Sequence, residues 1–112
     1  MEKARYIQIV LNCSSWQEAQ RIADTLLEKH LIACAEFIEI KSSYWWKQSI
    51  EKSDEVKIIM QAIESKFREI ETEVSNLHSY ETFVLEALPI LHISQDAIKW
   101  LETSIKSNEL IE

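Results

Sequence analysis

The chain has 112 residues, 46% apolar and 28% charged, and its 19 acidic side chains against 12 basic ones leave a formal charge of −7. A chain of this size and balance is a globular unit over residues 1–112 rather than a disordered segment. The acidic excess and the lack of a Lys/Arg-dense run exclude binding driven by nucleic-acid phosphates or by an anionic membrane surface.

Arg5–Asn12 is rich in β-branched and apolar residues and reads as a strand. Ser15 followed by Glu18 has capping-box spacing. It opens a helix whose Ala19, Ile22, Ala23, Leu26 and Leu27 share one face and which ends near His30. Ala33–Lys47 reads as a long strand. Its apolar residues sit first at Ala33, Ala35 and Phe37, then in the opposite phase at Ile38, Ile40, Tyr44 and Trp46. That switch predicts a bulge near Glu36. A short link at Gln48–Ser49 returns the chain into a second long strand, Ile50–Ile63, as a hairpin without the usual Gly. A helix over Ser65–Leu77 follows, with Phe67, Ile70, Val74 and Leu77 inward. Thr82–Ile90 is a fourth strand, and Ser94 caps a last helix with Ile98, Leu101 and Ile105 inward.

Strand, helix, strand, strand, helix, strand is the split βαβ order of the ferredoxin-like α+β sandwich, here with an extra C-terminal helix and an overlong central hairpin. In SSYWWKQSIE (Ser42–Glu51), adjacent Trp45 and Trp46 point to opposite faces of a strand. The two helices leave one sheet face without cover, so a second chain is the natural cover for these rings.

The chain has no Gly, which excludes the Gly-rich loops that cradle phosphates or dinucleotides. No nucleophile stands beside a base at a recognisable spacing, so an enzyme is not expected. No apolar run reaches the roughly 20 residues that cross a bilayer. MEKARYIQIV lacks an apolar leader pattern, and two cysteines are too few for a disulfide scaffold, so a reduced, cytoplasmic protein is expected.

The chain resembles the CutA family of divalent-cation tolerance proteins from about Tyr6 to Ile105. The resemblance is carried by EAQRIADTLLEKHLIAC (Glu18–Cys34), YWW (Tyr44–Trp46), LHSYET (Leu77–Thr82), ALPI (Ala87–Ile90) and WLETS (Trp100–Ser104) in this order and spacing. It implies a tight homotrimer whose hairpins pair between subunits, which makes Tyr44, Trp45 and Trp46 interface residues. It also implies an architectural relation to the trimeric PII signalling proteins. The chain departs from the family pattern at Gln48 and Ser49, where Gly-Lys is usual, and at Gln61, Ser79, Phe83 and Val84.

Cys13, His78 and an acidic residue form the best ligand set, since thiolate and imidazole suit borderline cations such as copper or zinc. The resemblance places Cys13 and His78 at positions proposed as copper ligands, so Cu(II) or another divalent cation is the expected partner. Its acidic position falls at Val84, which cannot ligate, and Glu81 or Glu86 is the substitute. The competing reading makes Cys13 a strand-end thiol and His78 a helix-end group. Cys34, Tyr80 and Glu81 are candidates for a pocket between subunits that takes a small anionic ligand. Against this, Cys34 also reads as a core thiol, and Tyr80 as a packed ring whose hydroxyl finds a partner.

Overall fold

The computed structural model describes residues 5–105, so the two ends of the expected 1–112 unit lie outside the described residues. Strand β1 (Tyr6–Cys13) alternates strictly, with Ile7, Ile9, Leu11 and Cys13 buried and their neighbours half-buried. Helix α1 (Trp16–Glu28) starts as the capping box requires, with the Ser15 hydroxyl accepting from Glu18 N–H at 3.1 Å. It stops in a Schellman motif. His30 takes φ 58°, its N–H donates to the Leu27 carbonyl, and Leu31 N–H donates to the Leu26 carbonyl.

Strands β2 (Cys34–Trp46) and β3 (Ser49–Ile63) form the hairpin. A 3-10 turn (Glu64–Lys66) leads into α2 (Phe67–Leu77), and β4 (Leu85–Pro89) and α3 (Gln95–Ser104) complete the order. The antiparallel sheet runs β2-β3-β1-β4, the ferredoxin-like arrangement. Val56, Ile58, Met60 and Ala62 pair with Cys13, Leu11, Ile9 and Ile7 on the face that meets the helices. Ile22, Leu26, Ile70 and Val74 close that core from the helix side, all at 0% exposure. Leu101 and Ile105 join it from the C-terminal helix. The Ser104 carbonyl, near the end of α3, lies 3.0 Å from the His30 ring nitrogen Nδ1.

Three expectations need correction. The bulge near Glu36 is absent, because Cys34↔Gln61 through Trp46↔Ser49 keeps one unbroken register. The phase switch has another cause. Ala35 and Phe37 face the helices, but further out on the same face Glu39 meets only Trp16 at the start of α1, accepting from its Nε1–H at 2.8 Å, and Lys41 and Ser43 follow beyond it. The opposite face stays apolar through Ile38, Ile40, Tyr44 and Trp46. The fourth strand is shorter than Thr82–Ile90, since its pairing with β1 begins only at Leu11↔Leu85. Ser94 precedes α3 but makes no side-chain cap bond, and the helix opens on the backbone bond from Ile98 N–H to the Ser94 carbonyl.

Beyond the last β1 pair, Cys13↔Val56, the hairpin runs on as two strands alone from Ile40↔Glu55 to Trp46↔Ser49. This arm stretches the chain to 49 × 27 × 23 Å, with a radius of gyration of 15.1 Å. A compact domain of this length has about 13 Å. Lys47 and Gln48 turn the arm with φ of 50° and 72°, the left-handed pair of a type I′ turn, at positions where Asn-Gly is preferred. On the arm, Trp45 is 71% exposed, Ile50 58%, Tyr44 39% and Trp46 37%.

Candidate functional site

Three element ends meet beneath the arm. Cys13 closes β1 on the core face, Glu18 sits in the first turn of α1, and His78 is the residue at which α2 gives way to extended backbone (φ −76°, ψ 141°). Their ligand atoms lie within 4.8 Å of one another. All three side chains are buried, at 0% for Cys13, 6% for Glu18 and 0% for His78.

Glu18 serves both the helix and the site. Its Oε2 accepts from Ser14 N–H at 3.0 Å, and its Oε1 accepts from Ser79 N–H at 2.9 Å, which ties the segment after α2 to the start of α1. The His78 ring is engaged at both nitrogens. The Asn12 carbonyl, 2.8 Å from Nε2, can only accept, so Nε2 carries the proton. Nδ1 accepts from Tyr80 N–H at 3.1 Å and lies 3.6 Å from Glu18 Oε2. The imidazole is thus the neutral Nε2–H tautomer, with its lone pair on the side of the carboxylate.

Burial pushes the Cys13 thiol up to about 12, helped by the negative charges of Glu18 and Glu55. Burial also works against the Glu18 carboxylate. The hydrogen bonds from Ser79 and Ser14 outweigh it and hold the carboxyl below its ordinary range. The resting cluster is therefore a protonated thiol, a charged carboxylate and a neutral imidazole. A tetrahedral divalent cation bound at about 2.0–2.3 Å spaces its donors roughly 3.3–3.8 Å apart, so the group fits one after contracting by about 1 Å. Loss of the thiol proton would give two negative donors and one neutral donor, which balances a divalent charge.

Residues His78–Phe83 run across this cluster as a strap. The Tyr80 ring lies 4.8 Å from the His78 ring, and Phe83 stacks on the same imidazole at 5.3 Å. The Tyr80 hydroxyl donates to Glu55 Oε2 at 2.5 Å, and burial together with this bond raises the tyrosine pKa. Glu55 is itself buried, at 6% exposure, and is the first β3 residue of the free arm.

The structure brings Cys13 and His78 together but leaves the expected acidic ligand out. Glu81 is exposed and lies outside the cluster. Glu86 pairs with Val10, on the sheet face opposite Cys13. Glu18 takes the acidic position. Its capping-box signal was readable, but its second use depends on α2 ending beside α1. Glu55 was missed because one buried Glu in an alternating strand resembles a solvated one. The expected grouping of Cys34 with Tyr80 and Glu81 does not form within the chain. Cys34 pairs with Gln61, six β3 positions from Glu55, or roughly 20 Å. Its half-buried thiol faces Gln61 Oε1 at 3.6 Å and is raised by burial and by Glu36. An open cleft of about 560 Å³ does adjoin the site, lined by Ser14, Trp16, Glu39, Lys41, Asp54 and Glu55 among others. Its one Lys is paired with Asp54 at 3.0 Å, so its free charge is negative and it does not suit an anion.

Fold and site together define a ferredoxin-like protein with a projecting aromatic hairpin and a buried soft-donor cluster. The family model for the CutA1 divalent ion tolerance protein matches residues 7–104, and the chain belongs to that family. It is 37% identical over 98 residues to the divalent-cation tolerance protein CutA of Archaeoglobus fulgidus, covering 88% of this chain and 96% of that protein. It is 37% identical over 89 residues to the protein of the same name from Thermotoga maritima, covering 80% and 88%. The solved A. fulgidus structure superposes with a TM-score of 0.88 at 36% identity, over 90% of this chain and 99% of that one. CutA1 from Oryza sativa, at 24% identity and a TM-score of 0.89, shares the fold. The A. fulgidus structure is described as that of a periplasmic protein, which overturns the expected cytoplasmic location. Two cysteines and an unremarkable N-terminal stretch are weak markers of compartment. Among the described residues, no helix is long and apolar enough to cross a membrane.

Proposed function

We propose that the chain is a non-catalytic homotrimer that binds a divalent cation, copper in the first place, at Cys13, Glu18 and His78, and so takes part in metal-ion tolerance. The observation that carries this reading is the convergence of thiol, carboxylate and imidazole side chains in one buried spot. The relatives' names, divalent-cation tolerance proteins, support the ion class. When bound, the ion would be held by a thiolate, a carboxylate and an imidazole. Trimerisation is supported by the exposed rings of Tyr44, Trp45 and Trp46. It is further supported by the apolar face turned away from α1 and α2, where Ile38 is 46% and Leu88 48% exposed. Asn12 Oδ1, of the same strand parity, is buried without a partner among the described residues.

A second reading is a PII-like signalling or purely structural trimer whose ligand site has decayed. Its support is that backbone groups already engage both His78 nitrogens and both Glu18 oxygens. Calorimetric titration of the reduced protein with Cu(II) decides between them. The first reading expects saturable binding that Cys13→Ala and His78→Ala each weaken at least about tenfold, the effect of 1.4 kcal/mol. Binding unchanged in the double variant removes the site. Sedimentation showing a 13.2 kDa monomer at micromolar concentration would remove the trimer.

A further inference from the structure

The lone pair of His78 Nδ1 has two claimants. It is the only lone pair on the ring in this tautomer, and it already accepts from Tyr80 N–H at 3.1 Å. It is also the ring atom nearest the Glu18 carboxylate, at 3.6 Å. One sp² nitrogen cannot accept from a backbone N–H and ligate a cation at once. Among the described residues, Tyr80 alone ties the strap to the arm by a side-chain hydrogen bond, through its hydroxyl on Glu55 Oε2. Ser79, beside it, is held by the same Glu18 that completes the donor set.

We propose that the His78–Phe83 strap is a latch that couples the cluster to the hairpin arm: His78 must give up Tyr80 N–H to ligate a cation, and giving it up loosens the Tyr80–Glu55 joint at the base of the arm. The inference rests on the cation reading above and specifies how that site is regulated. The coupling is reciprocal, because any bond that holds the latch shut is lost on loading and weakens affinity by the same factor. Phe83 stacks on the ring and Tyr80 packs against it at a tilt of 53°, so opening requires the strap backbone to move while the imidazole stays. The arm carries the exposed Tyr44, Trp45 and Trp46, so the joint lies between the donor set and the surface available for assembly.

The test uses Zn(II), which binds the same donors without quenching or redox chemistry, on the reduced full-length protein. Hydrogen–deuterium exchange followed by mass spectrometry reads the strap, and calorimetry reads affinity. Simple ordering around an ion slows exchange, whereas an opened latch speeds it in the Ser79–Phe83 segment. Tyr80→Phe keeps the ring contact with His78 and removes the bond to Glu55, and it is expected to tighten Zn(II) at least about fivefold. Glu55→Gln, which weakens the same bond from the other side, is expected to tighten it in the same direction. Cys13-dependent binding with unchanged or slower strap exchange, and with wild-type affinity in both variants, overturns the latch and leaves the cation site standing. Absence of any Cys13-dependent uptake overturns both.

Discussion

In the inner half of β3, Val56, Ile58, Met60 and Ala62 are exposed by 4% or less; in its outer half, Ser49–Asp54, no residue is buried. One strand thus runs through two environments. The base has helices on one side and a closed core. Among the described residues, the arm beyond its Tyr80–Glu55 contact has a partner strand and nothing else, yet it carries Tyr44, Trp45, Trp46 and Ile50. A two-stranded ribbon alone is marginal in water. The arm is held by the base at one end and by a left-handed Lys47–Gln48 turn at the other. Base stability is therefore a property of the chain, whereas the arm's rings find no cover among the described residues, which is the ground for the proposed trimer.

The sharpest way to break this comparison is the double change Trp45→Ala and Trp46→Ala. In a packed site each removal costs about 3–5 kcal/mol, so association is expected to fail while the base stays folded. Light scattering reads the first effect and far-ultraviolet circular dichroism the second. An assembly that persists with unchanged melting shows that the rings are surface decoration. Leu11→Ala inverts the experiment. It empties a fully buried base position and is expected to lower unfolding free energy by about 2–5 kcal/mol, measured by urea titration.

Glu18→Gln probes the knot between base and strap. The carboxylate's hydrogen bonds are charge-assisted, worth about 1.5–3 kcal/mol each. Its carboxyl sits below the ordinary 4.5, so the stability it contributes is present above that pH and is lost as the pH falls through the folded value. The variant is expected to show a flatter acid limb, and an unchanged limb would show that another group governs it. Cys13 acts at the other extreme. Its thiol is raised from 9.0 to about 12, so stability is full below pH 9.0 and declines as the pH rises towards 12. Cys13→Val is expected to remove that alkaline decline. The smallest effect is at the turn: Gln48→Gly relieves a positive φ of 72° and is expected to stabilise the protein by about 0.5–1 kcal/mol with no change in ligand binding.

The sequence determined the order of elements, and it did so through period and punctuation. The alternation of Ile7, Ile9, Leu11 and Cys13 names a strand and its inner face. Ser15 with Glu18 names a helix start, and adjacent Trp45 and Trp46 name a hairpin with rings on both sides. These signals are local, since each depends on side chains within a turn or two of one another. The tertiary structure alone decided which ends meet. It set Glu18 rather than Glu81 beside Cys13 and His78. It put Glu55 under the Tyr80 hydroxyl, and it separated Cys34 from Tyr80 by most of a strand. It also turned the phase switch in β2 from an expected bulge into a straight strand that outruns its helices. The physical reason is that hydrophobic periodicity records how much of each face is apolar. A site made of chain ends depends on loop paths and strand register, and those are settled only when the whole sheet closes.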